Sequence, residues 1–229
     1  MQKAQSPIKA IRACPETACL GTHSLHSFAF IMLIQSGELF NGSTILDNEM
    51  GRIVFFSRAI PAPECDRWFA SLLHDIPWET ESRSMYEKVV VVPRLFSRVR
   101  LDDAAAHPIV KQAAKVASEV TGADFDSAGL NLYRNESDSV AWHNDKLHRL
   151  QAGAPIALLS LGETRSLAIR TKKTPRKSLQ IEMTPGSILL MSYETQLHLD
   201  HAILKERRPC GPRISIAFRK LHSGLTKRR

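Results

Sequence analysis

A chain of 229 residues buries one substantial core and leaves little room for two full domains. With 43% hydrophobic and 24% charged residues and no internal repeat, it falls outside the disordered, collagen-like and repeat classes. The 31 Lys and Arg against 23 Asp and Glu leave a formal charge of +8, which favours phosphate-rich or otherwise anionic partners without naming one.

The first forty or so residues are poor in acids and carry Lys3, Lys9 and Arg12, the texture of a targeting arm or of a loosely ordered extension. Within them FAFIMLI, Phe28 to Ile34, is too short to span a bilayer and lacks a small-residue cleavage site, so it reads as a buried strand or helix segment. Cys14, Cys19, Cys65 and Cys210 form no CxxC pair and no dense framework, which predicts reduced thiols in a cytosolic-type compartment. GRIVFFSRAI, beginning at Gly51, predicts a strand. PAPECDRWFASLLHDIPW follows, with Pro61 and Pro63 at its entry and Trp68, Leu72 and Leu73 at helical spacing, and predicts a helix. EKVVVVPRLF is a β-branched run that Pro93 is expected to end. His107 to Gly122, HPIVKQAAKVASEVTG, places its apolar residues on one helical face before a glycine stop.

From Gly129 onward the texture becomes short β runs between turns: GLNLYR, SVAWH, PIALLSLG, RSLAIRTK, KSLQIEM, GSILLM, HAILK and RISIAFR. That pattern predicts an α+β, mainly β fold: a jelly-roll barrel (double-stranded β-helix) preceded by covering helices, with its chemistry inside.

In AWHND, His143 and Asp145 are two apart and project to one side of an extended strand end, where an imidazole and a carboxylate bind one cation. A solvated turn explains an isolated HxD equally well. The downstream LHLDHAILK offers His198 and His201 as third ligands. Two histidines and a carboxylate leave metal positions open, the arrangement of non-haem Fe(II) oxygenases, although a hydrolytic zinc site uses the same donors. In RISIAFR, Arg213 and Arg219 share a strand face opposite Ile214, Ile216 and Phe218. An arginine inside a barrel needs an anion, and a dicarboxylate co-substrate supplies one in bidentate geometry.

Together, NLYR at Asn131 to Arg134, HND at His143 to Asp145, GSILLM, His201 and RISIAFR resemble, in order and spacing, the AlkB-like 2-oxoglutarate and Fe(II)-dependent dioxygenases, over roughly Gly51 to Lys220. The resemblance implies a nucleotide-recognition lid over the barrel, and Fe(II), 2-oxoglutarate and O2 as requirements. It makes His143, Asp145 and His201 the catalytic metal ligands, and Asn131, Tyr133, Arg213 and Arg219 the 2-oxoglutarate contacts. The implied reaction demethylates N-alkylated bases of DNA or RNA, releasing succinate, CO2 and formaldehyde, with DNA alkylation repair as its role. The alternative is the same centre acting on a protein, lipid or metabolite.

A base must leave its stack to reach such a centre, so basic and aromatic groups are expected at the lips. Glu163 to Ser178 supplies Arg165, Arg170, Lys172, Lys173, Arg176 and Lys177 as a strand-loop-strand lip, with a solvated basic hairpin as the bland reading. By resemblance Trp78 in IPW, Arg94 in VPR and Tyr86 belong to the lid, and His143 is available to stack on the flipped base. Two departures bear on substrate. Many repair members carry a carboxylate soon after HxD where this chain has Lys146, Leu147 and His148, and LFSRVR lacks the expected aromatic-glycine, with Phe96 as its nearest substitute. The expected organisation is an extension at 1–50, a dioxygenase domain at 51–222 and a basic tail at 223–229, in a monomer that is cytoplasmic, or nuclear or organellar in a eukaryote, and free of membrane.

Overall fold

A computed structural model describes residues 42–85 and 88–222. FAFIMLI, the N-terminal arm, Tyr86 and the basic tail lie outside the described residues. Twelve strands carry the fold: β1 Ser43–Asn48, β2 Gly51–Phe56, β3 Glu79–Met85, β4 Lys88–Arg100, β5 Ser127–Tyr133, β6 Val140–His143, β7 Ile156–Gly162, β8 Arg165–Thr171, β9 Ser178–Met183, β10 Ile188–Met191, β11 Leu199–Ile203 and β12 Arg213–Arg219. Among the described residues the helices are two long ones, α1 Ala62–Asp75 and α2 Pro108–Thr121, and one turn, α3 Thr195–His198.

The strands form two antiparallel sheets. The larger has eight strands in the order β1-β2-β10-β7-β12-β5-β4-β3, and the smaller has four in the order β6-β11-β8-β9. Neighbours far apart in sequence, such as β2 beside β10 and β7 beside β12, are the crossovers of a jelly roll. Leu158, Leu189, Met191 and Ala217 of the large sheet meet Leu167, Ile169, Ile181 and Ile203 of the small one in a shared core.

β7, IALLSLG, reads as a continuous apolar run because both its faces are covered. Leu159 and Leu161 on its outer face are fully buried, as are Ile214, Ile216 and Phe218 of β12. Trp68 and Leu72 of α1, and Val110, Ala113 and Ala117 of α2, are fully buried too, from the apolar stripes read in the sequence. Helix α2 ends at Gly122, whose φ of 69° is left-handed, while the His107 side chain accepts from the backbone N–H of Ile109 at its start.

The structure differs from the sequence reading at three points. Pro93 does not end its strand: β4 runs thirteen residues from Lys88 to Arg100. The β3–β4 register shifts between Thr80 and Ser82, paired with Leu95 and Val91, and β5 pairs only from Leu95 onward, so the missing N–H falls where no ladder bond is required. The Pro93 carbonyl accepts from Ser139 N–H at 2.7 Å. Next, strand pairing reaches into the segment before Gly51, where β1 pairs with β2 from Ser43 to Asn48. Finally β3, ETESRSM, was not foreseen, since a polar edge strand carries no apolar alternation.

Candidate active site

β6 and β11 are antiparallel neighbours in which His143 and His201 are direct register partners. That pairing brings residues 58 positions apart to ring centroids 4.3 Å apart, tilted by 57°. The Nδ1 of His143 lies 2.8 Å from the Ala141 carbonyl, so the proton sits there and Nε2 is left with its lone pair. Past the end of β6 the chain turns, and the Asp145 N–H donates to Gln196 Oε1 at 2.9 Å. Gln196 is itself buried in α3 and donates to Thr195 Oγ1 at 3.0 Å, so α3 fixes where the carboxylate begins. No local pattern marks Gln196 as part of the site.

Arg219 Nη2 donates to both oxygens of Asp145, at 2.8 and 3.1 Å. Gly129 lies close beneath this guanidinium: a Cβ there would come to 3.0 Å from Arg219 Nη1. Burial opposes charge on Asp145, but Arg219, His201 and His143 outweigh it and hold the carboxyl below its ordinary value. Burial lowers both imidazoles, His143 against the help of the Ala141 carbonyl, and His201 to about 3 with His143 adding to the effect. Two neutral imidazoles and an ionised carboxylate are the states that bind a divalent cation. Among the described residues no three such side chains already stand at metal-ligand spacing, because Asp145 faces Arg219. The donor chemistry, the tautomer of His143 and the mutual electrostatic influence of the three groups nonetheless fit a two-histidine, one-carboxylate metal site.

Deeper in, Arg213 is 1% exposed and pairs in register with Tyr133, while Ser215 pairs with Asn131. Arg213 Nε donates to Ser160 Oγ at 2.9 Å, Nη1 has no partner, and the guanidinium lies 5.4 Å from the Tyr133 ring centroid. Burial pushes Arg213 down to about 10, against the pull of Tyr133. A buried cation with an idle N–H is costly unless an anion completes it. Asn131, Tyr133, Arg213 and Arg219, with His143, Asp145 and His201, all line one cavity of about 510 Å³.

Residues 52–219 match the model of the 2OG-Fe(II) oxygenase superfamily. The chain belongs to this superfamily. Human alkB homolog 3, an alpha-ketoglutarate-dependent dioxygenase, is 29% identical over 192 residues, 76% of this chain and 67% of the relative. The mouse DNA oxidative demethylase ALKBH2 is 30% identical over 133 residues, 55% of this chain and 56% of the relative. The solved structure of OsALKBH1 covers 78% of this chain and 100% of its own with a TM-score of 0.56 at 12% identity, a likeness of fold. The protein is therefore an AlkB-like dioxygenase that uses Fe(II), 2-oxoglutarate and O2.

The residues predicted to touch substrate divide. Arg94 lines the oxygenase's cavity; Nη2 donates to Glu81 Oε2 at 3.1 Å, and its buried Nε and Nη1 have no partner. Phe96 also lines the cavity, under the Arg98 guanidinium at 4.6 Å. Trp78 does not line it: Nε1 donates to the Leu73 carbonyl at 3.2 Å, tying the chain to the end of α1. On the basic lip, Arg170 stacks 4.2 Å over Trp142 and pairs with Asp200, and Lys172 Nζ donates to the Gln196 carbonyl at 2.7 Å. Arg165 is a structural buried cation, bonded to Glu206 and to the carbonyls of Asn135, Asp138 and Leu204. Lys173, Arg176 and Lys177 are exposed. Sequence reasoning missed Arg98, Lys146 and Arg149 as cavity residues; the alternation of Arg94, Phe96 and Arg98 along one strand face was the available signal.

Proposed function

We propose that this oxygenase removes alkyl groups from N-alkylated bases of DNA or RNA, with DNA alkylation repair as its role. The observation that carries the reading is the cavity of about 510 Å³ over the paired histidines, lined by Arg94, Arg98, Lys146 and Arg149 beside apolar side chains, as a site for an extruded base on a charged backbone requires. Support comes from the demethylase relative and from the net charge of +8.

In this reading His143, Asp145 and His201 hold Fe(II). Arg213 takes the distal carboxylate of 2-oxoglutarate through its idle Nη1, with the Tyr133 ring beside it. Asn131, one register step from Tyr133 on the same face, and Arg219 serve the keto-acid end, Arg219 also orienting Asp145. When bound, the metal, co-substrate and O2 supply oxidation of a C–H on the N-alkyl group, giving succinate, CO2 and formaldehyde. The protein orients the reactants, and the apolar shell of Leu158, Leu167 and Ile203 keeps water from them. Arg94, Phe96 and the exposed Lys173 and Arg176 serve the nucleic acid.

The test is formaldehyde release from methylated oligonucleotides by full-length protein with Fe(II), ascorbate and 2-oxoglutarate, His143→Ala serving as control. Succinate formation with no formaldehyde from any methylated base would move the activity to a substrate other than nucleic acid.

A further inference from the structure

Asp145 apart, the charged side chains that line the cavity are all cations. Arg94, Arg98, Lys146 and Arg149 all reach it, and among the described residues the only carboxylate lining it is Asp145, which faces Arg219 and the histidines. Arg94 and Arg98 share Glu81, at 3.1 and 3.8 Å. Lys146 and Arg149 have no such partner among the described residues; the short 3-10 turn Leu147–Arg149 sets both at the rim while His148 is exposed and does not line the cavity. These cations converge: burial lowers Arg98, and Arg149, Arg94 and Arg219 lower it further, against Glu81.

Arg94 adds direction to this field. It is 7% exposed and keeps two N–H-bearing atoms without an acceptor. It lines the same cavity as His143 and Tyr133. Buried idle donors call for an acceptor oxygen on the ligand.

Alkylated bases fall into two chemical classes. Alkylation at N3 of cytosine or N1 of adenine leaves a base that is a cation at neutral pH and presents an amino group next to the alkylated nitrogen. Alkylation at N3 of thymine or uracil, or at N1 of guanine, leaves a neutral base with a carbonyl in place of that amino group, at C4 of the pyrimidine or C6 of guanine; the C2 flank, a carbonyl in cytosine as in thymine, does not separate the classes. A cationic base entering this cavity would meet like charges and offer donors to donors. A neutral one offers its carbonyl to the idle N–H groups.

We propose that the substrate is an uncharged N-alkylated base with a carbonyl at C4 of the pyrimidine or C6 of the purine, with Arg94 donating to that carbonyl and Lys146 and Arg149 excluding cationic lesions. This rests on the reading of the oxygenase as a nucleic-acid demethylase.

The test uses two single-stranded oligonucleotides, identical except for one N3-methylthymine or one N3-methylcytosine, which are close in shape and differ in charge and in the group at C4. Affinity is measured with full-length protein holding Mn(II) and 2-oxoglutarate, and formaldehyde release with Fe(II). The N3-methylthymine strand is expected to bind about tenfold more tightly, as a partly screened like-charge contact implies. The double variant Lys146→Gln/Arg149→Gln is expected to bring the two strands within about twofold by raising affinity for N3-methylcytosine. Equal or tighter binding of N3-methylcytosine by the parent protein overturns the proposal. So does a double variant that loses affinity for both strands alike with a shallower salt dependence, because that is the signature of phosphate contacts. Formaldehyde released faster from N3-methylcytosine overturns the specificity and leaves the demethylase reading standing. No formaldehyde from either strand, or from N1-methylguanine, overturns that reading itself.

Discussion

Arg213→Met separates stability from function, because the same burial that makes Arg213 useful makes it costly. A cation whose pKa falls on folding from the ordinary arginine range to about 10 destabilises the folded state by roughly 3 kcal/mol. Below pH 10 both folded and unfolded chains hold the proton, so the penalty is constant at neutral pH, and stability rises only above about 10, where the unfolded chain binds more protons. Methionine keeps most of the volume and removes the charge. Against that gain stands the lost bond to Ser160, worth about 1 kcal/mol, while Ser160 Oγ keeps its own bond to the Met183 carbonyl at 3.1 Å. The ligand-free variant is expected to be more stable than the parent by about 1–2 kcal/mol, an increase in Tm of about 4 °C. The response to 2-oxoglutarate runs the other way. With Mn(II) present and the co-substrate a hundredfold above its Kd, the parent gains about 2.7 kcal/mol, and the variant should gain almost nothing. Thermal unfolding with and without 2-oxoglutarate reads both effects. A variant that melts below the parent and still responds to 2-oxoglutarate refutes the reasoning on both counts.

Three further outcomes follow from the geometry. His143→Ala is expected to abolish formaldehyde release and weaken Mn(II) binding by at least about tenfold, read by calorimetry, while circular dichroism is unchanged. Asp75 accepts from Ser71 at 2.8 Å and contacts His107 at 3.3 Å, and its bonds to His74, Ser71 and His107 lower its pKa from 3.8 to about 2. It therefore contributes stability that is present above pH 3.8 and lost as pH falls through about 2, and Asp75→Asn should flatten acid unfolding in that window. At Gly162, with φ of 79°, a Cβ would come to 2.5 Å from Phe69 Cε2 and 2.6 Å from the Pro212 carbonyl, so Gly162→Ala should cost about 2–4 kcal/mol in urea unfolding.

Much of the barrel was legible because its strands are short, apolar and separated by turns, and all eight runs after Gly129 are strands. The two long helices were legible from their stripes. What escaped depends on partners distant in sequence. Pro93 stops an isolated strand, but not one whose ladder shifts register beside it. β1 and β3 are polar edges that the sheet recruits. Within the site, strand periodicity put Asn131 with Tyr133 and Arg213 with Arg219 on shared faces, and the family resemblance joined them to His143, Asp145 and His201; all seven line one cavity. The lip failed the same logic. Arg165, Arg170 and Lys172 look free in sequence, yet each finds its acceptor 24 to 41 residues away, which no local pattern encodes.

β6 is an edge strand of four residues, held to β11 by two register pairs with an irregularity between them. One of those pairs is His143 with His201. A cation shared by the two rings would act as a clasp at the frayable border of the small sheet, joining β6 to the cooperative unit of the barrel. Amide exchange at Val140 to His143 would then slow sharply on metal loading while the large sheet changed little. The same event that equips the centre for chemistry would finish the folding of the strand that carries it.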